Sequence, residues 1–196
     1  LIGCLVSNCR APADGGAGGG IANVASVDAP ATLRLIDTNV VDNAAEDAGG
    51  AIANLTYGTY PAVVEITGGG LARNHADRGG AMASYGQFGG VAMVRMEDAV
   101  ILDNTAEFFA AGLSVETFAG GAHSSLELTD VRVECNTAEG FAGGLHTAQT
   151  RTSFILRGCT ITGNHASHGS PDIRQIATAS HVAFLGDNVV GDASDL

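Results

Sequence analysis

Glu46, Asp77, Glu107 and Glu139 each stand three residues after an asparagine. If the segments that carry them stack, one acid per layer lies about 4.8 Å from the next. Like charges that close repel by roughly 1 kcal/mol in water and by more where water is restricted. A cation would relieve such a column, and calcium takes several oxygen ligands at about 2.3 to 2.6 Å. The four residues are therefore candidate Ca²⁺ ligands, with solvated corner carboxylates as the plainer reading. Asp98 and Asp130 also share a place, six residues before their asparagines. Glycoside hydrolysis needs two carboxyl groups about 5 to 9.5 Å apart, and adjacent layers provide that separation. A polysaccharide lyase would instead need a base near a cation, for which Arg95 or Arg132 beside those acids are candidates. Aspartate at a tight corner is also an ordinary turn residue.

A second kind of chemistry is carried by aromatic rings. Tyr57, Tyr60, Tyr85, Phe88 and Phe118 fall in the segments Asn54–Ala62, Ser84–Ala92 and Glu116–Ser125, half of the ten aromatics in the chain. On successive layers they would project from one edge, where ring faces can stack on sugars or on a partner protein. The alternative is that they fold back over the strands beneath. The six histidines are scattered, and His75 and His165 share a place but lie three layers apart, too far to hold one metal. The run from Asp14 to Gly20 lacks the Lys-Ser/Thr of a phosphate loop and reads as a corner.

What positions these residues is a repeat. Asn43, Asn74, Asn104, Asn136 and Asn164 recur about every 30 residues, with Asn8 and Asn188 as degenerate ends. A period of that size marks a solenoid, a propeller or an array. Three residues before each interior Asn stands an aliphatic: Val40, Leu71, Ile101, Val133 and Ile161. Farther upstream come pairs spaced by two, such as Val64 with Ile66 and Leu126 with Leu128, and downstream a Gly-Gly leads to Ala51 with Ala53, Ala81 with Ala83, Leu113 with Val115 and Leu145 with Thr147. Spacing by two is a strand with one buried face. Ile52, Met82, Ser114 and His146, lying between the downstream pairs, are expected to point outward. Three short strands and three corners per repeat describe one coil of an all-β parallel β-helix, about six coils over residues 1–196 as a single domain. The Asn column is structural on this reading: Asn tolerates a left-handed corner, and stacked Asn side chains bond to one another.

The Gly-Gly-Ala-Ile and Gly-Gly-Ala-Met segments, with aliphatic-x-x-Asn before them, resemble the repeats of polymorphic outer membrane proteins and related autotransporter passengers. That resemblance implies a right-handed β-helix, export to a bacterial cell surface or outer membrane, and, for many members, work as an adhesin. The competing fold is a leucine-rich repeat, since Leu128-x-x-Val131-x-Val133-x-x-Asn136 fits LxxLxLxxN. A helix would then follow the Asn, where here a Gly-Gly follows, and glycine costs a helix about 1 kcal/mol relative to Ala.

Composition narrows the partners. The chain has 21 acidic and 9 basic residues, a formal net charge of −12, and every basic residue is Arg. Nucleic acid is an unsuitable partner for that surface. No apolar run is long enough to span a membrane. The chain opens on Leu1 within a coil and reads as excised from a longer one. Cys159 reads as a small core residue, while Cys4 and Cys9 straddle a turn that a disulfide would pinch. The functional expectation is an exported surface or adhesion module that binds a glycan or protein without catalysis. The alternative is a polysaccharide lyase or glycoside hydrolase.

Overall fold

The computed structural model describes residues 1–12, 16–118, 121–148, 151–175 and 181–192. Asp14 and Gly15 of the glycine run, and residues 193–196, lie outside them. The described residues contain no helix, so no helix is long and apolar enough to cross a membrane. Every strand pairing is parallel, and the chain is a β-solenoid of about six turns of roughly 31 residues. The leucine-rich alternative fails where it was weakest: a strand, not a helix, follows each interior asparagine.

Each full coil contributes four strands, one to each of four sheets. In chain order within one coil, sheet A is formed by strands such as Ala62–Thr67, sheet B by Gly70–Ala72, sheet C by His75–Arg78 and sheet D by Met82–Gly86. The fourth strand, sheet C, was not visible in the periodicity. Its only inward residue in most coils is Ala, as at Ala76, Ala106 and Ala138, and a lone small residue carries no period of two.

Inward side chains stack in columns. Sheet A supplies Leu35, Ile66, Met96, Leu128 and Leu156, and sheet B supplies Val40, Leu71, Ile101, Val133 and Ile161, all buried. Each such side chain contributes roughly 1.5–3 kcal/mol of burial. In sheet D the register corrects the sequence reading. Ile52 and Met82 align with Leu113 and Leu145 in the central core, so they point inward. Met82 comes one residue earlier after its Asn than Leu113 does, and a bulge absorbs the difference: Ala76 pairs with Ala106, but Arg78 pairs with Phe109.

The corrected register explains the glycines. Gly18, Gly49, Gly79, Ala110 and Ala142 occupy one corner, all with positive φ between 44° and 74°. A left-handed residue with a Cβ costs about 1–2 kcal/mol, which favours Gly there. At the next position a Cβ on Gly50 or Gly80 would strike backbone oxygens of the following coil, so the coils approach this closely only without one.

Candidate functional site

The five asparagines form one buried column. Asn43 Nδ2 lies 3.1 Å from Asn74 Oδ1, and the distances onward to Asn104, Asn136 and Asn164 are 3.0, 2.9 and 2.9 Å. Each Oδ1 also accepts the backbone N–H of the Asn one coil earlier, and each amide reaches a carbonyl of that coil, as Asn104 does to Leu71 at 3.0 Å. The left-handed corner belongs to the residue before, not to the Asn: Asp42, Arg73, Asp103 and Cys135 have φ from 53° to 58°. The ends of the column differ from the sequence reading by register. Cys9 takes the Asn position in the first coil, its N–H bonding Asn43 Oδ1, while Asn8 takes the left-handed place. Asn188 aligns with Cys159's corner, and the column ends instead on buried Asp172, whose Oδ1 accepts Asn164 Nδ2 at 2.7 Å. All four cysteines are free thiols, and Cys159 is buried.

Outside that column run ion pairs. Arg73 grips Asp42 in two parallel bonds of 2.8 Å, and this hydrogen bond holds the Asp42 carboxyl below its ordinary value. Sheet A carries a longer ladder. Arg34, Glu65, Arg95 and Glu127 stand in register, with contacts of 2.6, 3.9 and 3.6 Å, and Arg157 reaches Glu127 diagonally. The signal for it was present as alternating sign one repeat apart.

The expected metal column is a stack of single carboxylates. Glu46, Asp77 and Glu107 border one depression of about 350 Å³ together with Arg10 and His75, and Glu139 follows on the next coil. Burial, then the neighbouring Glu107 charge, pushes the Asp77 carboxyl up. Among the described residues no three of His, Cys, Asp and Glu converge as a cation-holding group. Asp98 and Asp130 are in line on adjacent coils but are exposed and left-handed, φ 53° and 54°, at the corner between sheets A and B. A Cβ on Gly158 in the next coil would collide with Asp130 Oδ1. They serve there as turn residues.

The aromatics divide. Tyr57, Tyr60 and Phe88 are 48, 42 and 64% exposed. Tyr57 and Phe88 border an open depression of about 430 Å³ with Val27, Gly58 and Thr59. Tyr85 is the correction: it is buried, with Phe118 set edge-on against it at 5.3 Å. The reason is that sheet D is covered on its outer face too, so the period of two there does not separate inside from outside.

That covered face holds a polar corner which no sequence motif announced. Ser114 Oγ donates to Glu116 Oε1 at 2.8 Å, and burial pushes the Glu116 carboxyl and the Tyr85 phenol up. His146 stacks on Phe109 at 5.1 Å, which stacks on Phe141, and burial followed by the Arg174 charge lowers its pKa to about 3. The Tyr85 hydroxyl, Arg78 Nε and His146 Nδ1 are buried without hydrogen-bond partners among the described residues. Burial thus favours the neutral forms of Glu116, Tyr85 and His146. Glu116 would suit a proton donor, but at 7% exposure, beside Tyr85 at 4%, nothing reaches it. Asn54, the acceptor of an Asn-Leu-Thr sequon, is likewise inside, bonded to Asn23 and Ser84.

No family model matches the chain, and no curated protein or solved structure matches it.

Proposed function

We propose that this solenoid is a non-catalytic binding module, exported to a bacterial cell surface like the autotransporter-type passengers whose repeats it resembles. Its ligand is a glycan, taken along the edge where sheet D turns into sheet A. One observation carries the reading: Tyr57 and Phe88 on adjacent coils, with Val27 66% exposed beside them, keep large apolar faces in water. In most of this chain such side chains are turned into the core, and an exposed apolar cluster in the short connections that follow the sheet D strands is a ready-made contact surface. The strands beneath are pinned on both sides, so binding orders little that is not already ordered.

A glycan array read with the wild type and with Tyr57→Ala/Phe88→Ala tests it. The double variant should bind at least about tenfold more weakly, the loss of two stacking faces, while its melting temperature is kept. An array with no binder, or equal binding by the variant, would overturn the reading. Release of shorter oligosaccharides would favour the lyase or hydrolase alternative.

A further inference from the structure

Resting on that reading, we infer that the glycan is anionic, and that its charged groups are held by a basic, hydroxyl-lined depression on the later coils of the same edge. The outward strip at the start of sheet A changes character along the solenoid. After Thr32 on its first coil it carries Val63, Val91 and Met93. In register with them come Ser125 and His123, then Ser153, then His181. Arg151 immediately precedes Thr152, the partner of Ser124, and so sits beside His123. These residues line an open depression of about 450 Å³, and no carboxylate is among its lining residues.

That composition runs against the rest of the molecule. With 21 acids to 9 arginines, most basic side chains are met by an acid, and Arg34, Arg73, Arg95, Arg132 and Arg157 are in ion pairs. Arg151 pairs with no carboxylate among the described residues. It is exposed, and its Nη1 donates to the carbonyl of Gly121 at 3.2 Å, which tethers one corner of the guanidinium and leaves further N–H groups to bind a ligand. Its backbone has φ 68°, a conformation in which glycine is the undemanding choice, yet an arginine stands there. A guanidinium fork matches carboxylate and sulfate oxygens. The Ser125 and Ser153 hydroxyls and the His123 and His181 rings supply further donors around the same space.

The arrangement also fits a chain ligand. Phe88 lies just before Val91, and Arg151 lies two coils beyond Val91, about 10 Å along the axis. An oligosaccharide following the edge would stack on Tyr57 and Phe88 and bring its acidic groups to Arg151. The negative field of the remaining surface opposes indiscriminate polyanion binding, so charge alone is not enough for the site.

The test is calorimetric titration of the whole chain with oligosaccharides of matched length: sulfated, uronate-bearing and neutral, and with duplex DNA as a polyanion lacking sugar faces. At low salt the sulfated or the uronate series should bind at least tenfold tighter than the neutral one, and the series that gains identifies the group. The gain should shrink with added salt and vanish in Arg151→Gln/His123→Gln and in Ser153→Asp, with neutral binding unchanged. Equal affinity for neutral and anionic sugars would overturn this inference and leave the aromatic edge standing. Anionic preference that survives in both variants, or DNA bound as tightly as glycan, would also overturn it. Absence of binding by any sugar removes the proposed function itself.

Discussion

Two ladders climb this solenoid once per coil, and they differ in what surrounds them. The Asn column from Asn43 to Asn164 is buried, and each member satisfies backbone groups of two coils that have no water to turn to. The sheet A ladder from Arg34 to Glu127 has the same repeat and formally stronger partners, but its arginines are more than half exposed. Coulomb attraction in water is weak, and ordering two long side chains costs entropy. A buried hydrogen bond that is lost, by contrast, leaves desolvated groups behind. Charge is thus the poorer stabiliser here, and burial decides which ladder holds the coils in register.

The sharpest break of that comparison is Asn104→Ala. It takes the acceptor from the buried Asn74 N–H and side-chain amide, groups whose loss of a partner costs about 1–3 kcal/mol each, and removes the amide bond to the Leu71 carbonyl. Urea titration should show a loss of roughly 2–5 kcal/mol, and a loss under 1 kcal/mol would place the column among ornaments.

The polar corner behind sheet D extends the same logic to titration, with signs that oppose. The folded state binds the Glu116 proton more tightly than the ordinary carboxylate value of 4.5, so its share of stability is present below that value and is lost as pH rises through the folded pKa. His146 is lowered from 6.5 to about 3, so the unfolded chain takes up a proton first and stability is lost as pH falls from about 6.5 toward 3. Thermal melts from pH 3 to 8 should show Glu116→Gln gaining on the wild type toward neutral pH. His146→Phe, which keeps a ring against Phe109, should gain toward acid pH. Parallel pH profiles for variant and wild type would mean that these groups titrate alike in both states.

Smaller still is the outer ladder. Glu65→Gln removes the carboxylate shared by Arg34 and Arg95 and should cost no more than about 1 kcal/mol, a difference that 1 M salt abolishes. A larger, salt-resistant loss would reverse the ranking of the two ladders. Least of all is expected from calcium. Arg10 and His75 share the depression with Glu46, Asp77 and Glu107, and single carboxylates one coil apart offer a cation few oxygens. Melting temperatures in calcium and in chelator should coincide. A rise in calcium that is lost in Asp77→Asn/Glu107→Gln would make the column a metal site.

Fold class was readable from residue types alone, because stacking imposes one demand at the same place in every coil. Val40, Leu71, Ile101, Val133 and Ile161 must be aliphatic where sheet B faces the core, and an Asn must follow where two coils need an amide. A requirement repeated that regularly leaves its period in the sequence. Register after the Asn was not readable. Gly49-Gly50 and Gly79-Gly80 have an Ala between them and the inward Ile52 and Met82, whereas Gly143-Gly144 abut the inward Leu145, so aligning the Gly pairs exchanges inside for outside at Ile52 and Met82. Nor does any period say that sheet D is covered on both faces, which turned Tyr85 from a candidate contact into a packed ring and enclosed Glu116 and His146. Local sequence specifies what each coil repeats. Which side chains share a depression, as Tyr57 does with Phe88 and His123 with Arg151, depends on contacts between residues some 30 positions apart in the chain, and the tertiary stacking alone supplies those.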